Sequence, residues 1–153
     1  DLLHKFELGE WHRVFIHLLR ILEAYWKSSA KDDLDQRYHS LPTFINGTIC
    51  IFTKSVSSLK KMTGHNFKDL LQGGMPCSDG FLPQEHDETV QNLLWDFMMF
   101  HGFRKFDMHL DSTVAIMWAL TCSIGETLRK FADVTCAAFA TKELPSEKAA
   151  HVR

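Results

Sequence analysis

The eleven residues from Val114 to Ile124 carry no charged side chain and are apolar on nearly every side of a helix. A helix of that kind presents no polar face to water, so it is expected at the centre of a fold and not at its periphery. Asp111, Ser112 and Thr113 precede it and are residue types that cap the start of a helix. The sequence therefore predicts a helical domain built around this segment.

Other segments repeat apolar residues at the helical spacing of three and four. They run from about Glu10 to Lys27, from Asp87 to His101, and, after Gly125, from Glu126 to Lys142. A β-branched segment from Pro42 to Gly64 also fits a strand, but its length and its basic end before a glycine favour a helix. No strand pattern remains, and an all-α fold is predicted.

Polar and glycine-rich segments connect these helices. Ser28 to Asp33 interrupts the helical pattern and is expected to be a surface connection, and Leu34 to Ser40 is expected to form a short turn of helix. His65 to Gln84 contains glycine and proline residues and is predicted as the longest loop, before the helix that ends at His101. Leu144 to Arg153 is expected to be a frayed polar tail.

Length and composition restrict the function classes. The 153 residues fit a single domain, and a formal net charge of -2 gives no basic face for nucleic acid. No apolar run approaches the roughly 20 residues that span a bilayer, so no membrane insertion by this fragment is expected. Four scattered cysteines without a C-x-x-C pair favour a reducing compartment, and a cytoplasmic location is expected.

One histidine lies where it could serve a site. Leu94, Phe97 and His101 share one helical face, and Gly102 follows the histidine as a helix stop. An imidazole at the end of an apolar wall can bind a metal or a macrocycle. It can equally be a capping histidine that is satisfied by a carbonyl group.

The order of these features resembles the C-terminal half of a globin. Leu94-x-x-Phe97-x-x-x-His101 is followed by a glycine, a short connection, a long apolar helix and a final amphipathic helix. The resemblance implies a globin-like fold with a shortened N-terminal region, of the divergent invertebrate, nematode-like kind. It also implies that His101 is the proximal ligand of the iron of one haem b.

The resemblance further implies the rest of a haem pocket. Its floor would be Leu94, Phe97, Phe103 and Val114, its ceiling Ile45, Asn46, Ile49 and Cys50, and its edge Trp26, where globins carry a phenylalanine. Either Asn46 or Ile45 would face the iron, and His65 is a candidate for a sixth ligand. The resemblance therefore implies binding of oxygen or nitric oxide, sensing, or redox chemistry at the iron, rather than the activity of a dedicated enzyme. It also implies that the chain is one domain of a larger protein.

A second hypothesis belongs to another class: a helical interaction module that binds no cofactor. Phe44 to Ile49 faintly resembles a homology segment of apoptosis-regulating helical bundles. Phe106 to Leu120 faintly resembles a helix pair of nuclear-receptor ligand-binding domains. Val114 to Ile124 would then be a central helix wrapped by amphipathic helices.

Overall fold

A computed structural model of the chain describes residues 6–27, 29–42, 52, 55–58, 64–145 and 147–148. Within these ranges the chain forms α1 (His12–Trp26), α2 (Ser29–His39), α3 (Gly64–Ser78), α4 (Gln84–Phe103) and α5 (Asp111–Lys130). A π-helical segment, Phe6–Trp11, leads into α1, and a second, Phe131–Cys136, continues α5. No strand occurs among the described residues. The predicted all-α fold is confirmed.

The core forms where α1, α3 and α4 meet, and Trp11 lies at its centre. The indole N–H of Trp11 donates a 2.8 Å hydrogen bond to the carbonyl oxygen of Phe67. The ring of Trp11 contacts Phe15 and Phe97 at centroid distances of 5.4 and 6.3 Å. Each of the two helices predicted most clearly, α1 and α4, turns its apolar stripe to this core. The buried residues of these stripes are Val14, Phe15, Leu18, Leu19, Ile21, Leu22, Val90, Leu93, Leu94 and Phe97.

The prediction of a connection from Ser28 to Asp33 is wrong at residues 29–33, which are helical, and the turn of helix predicted after it belongs to the same longer helix. Ser29–His39 is one helix, α2, because Ala30, Leu34 and Tyr38 recur at every fourth position and are buried. The Tyr38 hydroxyl donates a 2.9 Å hydrogen bond to the carbonyl oxygen of Leu70 on α3. Three apolar residues among eleven are a weak sequence signal, although together they attach the helix firmly.

The long loop predicted from His65 to Gln84 is also wrong, because Gly64–Ser78 is helical. Gly73 faces α2, where a Cβ atom would overlap Leu41 Cδ1 and would lie 3.1 Å from Tyr38 Cε1. The glycine therefore permits two helices to approach closely, instead of ending one of them. Pro76 lies near the C-terminus of α3 at an exposed position, where its missing N–H costs one helical hydrogen bond.

The helix predicted from Pro42 to Gly64 falls mostly outside the described residues. Between its two end residues this segment is described only at residues 52 and 55–58, where it is not helical, and Gly64 already begins α3. The Ser57 N–H and hydroxyl each donate a 2.9 Å hydrogen bond to the carboxylate of Asp35 on α2. The Ser58 N–H donates to Ser55 Oγ at 3.2 Å. Such side-chain bonds from serine compete with a helical backbone, which explains the difference.

The prediction of a central helix from Val114 to Ile124 is wrong in position, although the helix itself is present. All twenty residues of α5 are described and none of them is buried. The helix also runs through Gly125, where a break was predicted, and its continuation buries Phe131 and Thr135. The apolar segment therefore lies on the outside of the domain and packs chiefly against α4.

The predicted frayed tail is ordered at its described beginning. Leu144 is 1% exposed, and Glu147 accepts hydrogen bonds from Arg20 Nε at 2.9 Å and Arg20 Nη2 at 2.5 Å. The Leu144 N–H donates to the same carboxylate at 2.8 Å. These contacts attach Leu144 and Glu147 to α1, whereas Ser146 and the residues after 148 lie outside the described part. No helix in the described part of the chain combines the length and apolarity that crossing a membrane requires.

Replacement of Gly73 by alanine tests the close approach of α2 and α3. Tyr38 is buried and held by its hydroxyl, so it cannot move away from the new methyl group. We expect Gly73→Ala to lower the free energy of unfolding by about 1 kcal/mol, measured by urea denaturation. Gly102 is the matched control, because a Cβ atom there meets nothing within 4 Å, and Gly102→Ala should stabilise by up to about 1 kcal/mol. Equal effects at both positions would contradict this packing.

The attachment of the tail predicts a loss of stability in acid. Burial and the nearby Arg20 lower the pKa of His17 from 6.5, so protonation of His17 favours the unfolded chain as the pH falls below 6.5. The Arg20 hydrogen bond lowers the pKa of Glu147 from 4.5, and that stabilisation is lost below pH 4.5. In urea denaturation across pH, His17→Gln should flatten the slope from pH 7 to 5, and Glu147→Gln the slope below 4.5. An unchanged profile in both variants would refute this assignment.

Candidate functional site

His101 lies in the last turn of α4 and is buried, with 4% of its surface exposed. Leu94 and Phe97 lie on the same face of the helix, as their spacing predicts, and are 1% and 0% exposed. The structure therefore brings these three predicted site residues together. They face the interior of the domain.

The face of α4 around Leu94 and Phe97 is filled by protein side chains. Phe6 contacts the edge of Phe97 at a centroid distance of 5.1 Å, and Trp11 contacts it from another side. A Cβ atom on Gly74 of α3 would lie 3.5 Å from a methyl group of Leu94. The cavity that Leu94 lines in this core has a volume of about 20 Å³, which is room for about one water molecule.

These placements do not fit a porphyrin bound beneath His101. Side chains that line a pocket large enough for a porphyrin expose surface to that pocket. Leu94, Phe97 and His101 are instead almost completely covered. The described residues contain no group of three histidine, cysteine or acidic side chains that could hold a metal ion by themselves, whereas haem iron needs only one protein ligand. Haem binding through His101 thus stays a prediction from the resemblance, and the packing around Leu94 and Phe97 does not support it.

The remaining residues of the predicted pocket do not converge on His101. Trp26 is 49% exposed at the end of α1, and its indole N–H donates a 2.5 Å hydrogen bond to the carbonyl oxygen of Phe81. Phe103 is half-buried against Phe106, and Val114 is 53% exposed on α5. The predicted ceiling residues Ile45, Asn46, Ile49 and Cys50 lie outside the described residues, as does the side chain of His65.

The outer surface of α5 is the second candidate site. From Ser112 to Gly125 the helix contains fourteen consecutive uncharged residues, and none of them is buried. Trp118 is 74% exposed, more than any of the other three tryptophans. A tryptophan has the largest apolar surface of any side chain, and a contiguous exposed apolar patch marks a binding surface. We therefore treat this surface as a candidate binding surface, whereas the sequence pattern predicted that it lies in the core.

A groove of about 510 Å³ extends this surface towards the C-terminus of α4. It is lined by Phe100, Arg104, His109, Val114, Met117, Trp118 and Thr121. The guanidinium of Arg104 lies 5.9 Å from the centre of the Phe100 ring, and His109 stacks on Phe106 at 6.4 Å. The groove is therefore apolar, with one permanent positive charge at its edge.

Only the inner side of α5 is attached to the domain. The Ser123 hydroxyl donates a 2.6 Å hydrogen bond to the carboxylate of Asp96 on α4, while Ile124 and Leu128 pack against the edge of the core. These contacts lie in the C-terminal half of the helix. The N-terminal half, with Val114 and Trp118, therefore projects its apolar side chains into solvent.

A straight stripe runs along the outer side of α5. Asp111, Trp118, Cys122 and Arg129 are separated by seven, four and seven residues, which places all four within about 20° of one line. All four are exposed. The guanidinium of Arg129 lies beside Gly125, within 3.5 Å of the position that a Cβ atom would occupy there. Neither Asp111 nor Arg129 has an ion-pair partner among the described residues.

Sequence reasoning missed Arg104, His109, Met117 and Trp118 as members of a site. The available signal was the absence of charge around α5, which indicates burial but does not say which chain supplies the cover. Comparison of the chain with protein-family models, curated proteins and solved structures finds no match.

The exposure of Trp118 predicts a contrast between two aromatic truncations. In dilute solution Trp118→Ala should change the free energy of unfolding by less than about 0.5 kcal/mol, because its ring touches little of its own chain. Phe97→Ala is the matched control and should cost about 3–5 kcal/mol, since Phe97 is fully buried. Urea denaturation of both variants measures the difference. A large loss of unfolding free energy in Trp118→Ala would show that α5 is part of the core.

Proposed function

We propose that this domain is a helical interaction module, working without a cofactor, that binds a helix of another protein chain on the outer surface of α5. The observation that carries the proposal is the exposure of Trp118 on a helix that buries none of its twenty residues. Leaving such a surface in water forgoes roughly 1.5–3 kcal/mol for each large apolar side chain that a partner would cover. Binding recovers that free energy.

The groove beside Trp118 has the character of a helix-binding site. Its lining is mostly apolar and aromatic; one wall is formed by α5, and the other by the end of α4 and the connection that follows it. An amphipathic helix places apolar anchors at every third and fourth position into such a groove. Trp118 is the expected centre of the binding energy, because exposed tryptophans frequently become the dominant contacts of an interface. Arg104 favours a partner helix with an acidic residue beside its apolar stripe.

Haem b binding through His101, with gas binding, sensing or redox chemistry, is the competing proposal. It is supported by the globin-like order of the segments and by the position of His101 at the end of an apolar helix. The covered surfaces of Leu94 and Phe97 favour the interaction module over it. A cytoplasmic location belongs to either proposal; Cys77, Cys122 and Cys136 are free thiols in the described part of the chain.

An absorption spectrum separates the two proposals. Purified protein is titrated with hemin, and His101→Ala serves as the control. The interaction module predicts no stoichiometric Soret band and identical spectra for both proteins, since the described side chains that pack on Leu94 and Phe97 fill that face of α4. A saturable band that is lost in His101→Ala would overturn the cofactor-free proposal.

Site-specific photocrosslinking tests the binding surface in cells that express the protein. A photoreactive amino acid at Thr121, which lines the groove, should attach to an apolar helical segment of one defined chain. The same amino acid at Gln36, an exposed position on α2, is the control. Adding Trp118→Glu should abolish the Thr121 product while leaving the circular dichroism spectrum unchanged. Equal crosslinking from Thr121 and Gln36 would refute a binding surface on α5.

A further inference from the structure

We propose that the helix bound on the α5 surface is α5 of a second copy of this chain, packed antiparallel across a two-fold axis near residue 120. The inference rests on the proposed function and names its partner. It is carried by the symmetry of the stripe of Asp111, Trp118, Cys122 and Arg129. These positions lie nine residues and two residues on either side of position 120.

A two-fold axis at position 120 pairs each residue of the stripe with a suitable one. Asp111 of one copy meets Arg129 of the other, and the same pair recurs at the opposite end. Asp111 and Arg129 are separated by eighteen residues, or five helical turns, so both lie on one side of the helix about 27 Å apart. Two oppositely charged pairs therefore close the ends of the contact, and both charges lack an intramolecular partner in the described ranges.

The charges also select the direction of the helices. In a parallel arrangement Asp111 would face Asp111 and Arg129 would face Arg129, which places like charges opposite each other at both ends. The antiparallel arrangement in addition sets the positive end of each helix dipole beside the negative end of the other. The stripe is therefore self-complementary in one direction only, as an isologous two-fold contact requires.

The side-chain sizes are also complementary across the two-fold axis. Trp118 of one copy lies opposite Cys122 of the other, and Ala115 lies opposite Gly125. A large ring thus covers small residues, which lets two helices approach to the usual 8–10 Å between axes. Between Asp111 and Glu126 no charged side chain interrupts this contact.

The size of the surface sets the expected affinity. A contact about 27 Å long along one helix is short of the roughly 800 Å² per partner of a standard interface. Leu110 and Met108, which are 67% and 81% exposed, lie just before the helix and enlarge the contact at each end. We therefore expect a weak, reversible dimer with a Kd on the order of micromolar, which weakens as salt screens the end charges.

Charge reversal tests the register by sedimentation equilibrium. Asp111→Arg and Arg129→Asp should each weaken the dimer at least about tenfold, because each single change places two like charges together at both ends. The double variant should return to within about threefold of the wild-type Kd, since it restores both pairs with their signs exchanged. Direct contact within one chain cannot produce this rescue, because the two residues lie about 27 Å apart. Lys130→Glu is the control, because Lys130 lies about 100° around the helix and should change the Kd little.

Crosslinking of the exposed thiol gives an independent measurement of the same geometry. In the proposed dimer the two Cys122 residues lie on the order of 10 Å apart, so a short bismaleimide should join two chains. The reaction should be lost in Cys122→Ser. Cys77 does not compete, because burial raises the pKa of its thiol to about 11 and covers it.

The outcomes separate this inference from the proposed function. A monomeric wild-type protein at about 100 µM, far above the expected Kd, would overturn the dimer, as would a double variant without rescue. If the protein is monomeric while Thr121 still crosslinks to a different chain, the interaction module stands and only its partner is wrong. If neither a dimer nor a Thr121 crosslinking product is observed, both the dimer and the interaction module are refuted.

Discussion

The burial of Trp11 is the constraint on which the rest of the fold depends. Its indole N–H is removed from water and has to find an acceptor, which is the carbonyl oxygen of Phe67 on α3. The same ring lies against Phe97 of α4, so one side chain fixes α1, α3 and α4 relative to each other. With these three helices joined, the face of α4 that ends at His101 is used by the core. What the sequence offers as a ligand-binding wall is therefore occupied by the domain's own aromatic residues.

That arrangement determines where α5 can go. The inner face of α4 is covered by Phe6, Trp11 and α3, so α5 packs on another side of α4. It is held there by Ser123 on Asp96 and by the apolar residues of its C-terminal half. The uncharged surface of α5 then has no partner among the described residues. The exposed position of Trp118 therefore goes together with the filled core: the side chains that cover the inner face of α4 leave α5 on the outside of the domain.

The sequence predicts the parts of this fold that depend on local pattern. The helices α1 and α4 follow from apolar residues at three- and four-residue spacing, and the all-α class follows with them. Prediction from the sequence fails where the role of a residue depends on a contact with a distant part of the chain. Gly73 resembles a loop residue in the sequence, yet it is the site where Tyr38 passes α3. Likewise, the pattern Leu94, Phe97 and His101 is shared by a haem wall and by an ordinary core face, and only the burial of its neighbours distinguishes the two.

The sequence alone shows the spacing of the residues in the candidate site, but it does not show that they are exposed. The symmetric spacing of Asp111, Trp118, Cys122 and Arg129 is visible in the residue order alone, but it has no meaning if the helix is enclosed by its own chain. Because α5 is exposed, the spacing becomes relevant to binding: opposite charges at equal distances from a midpoint make the surface complementary to a reversed copy of itself. An uncharged helix surface is favourable in water only where another surface covers it, and the proposed dimer supplies that cover. In that proposal the positions of the two end charges determine the direction of the partner helix.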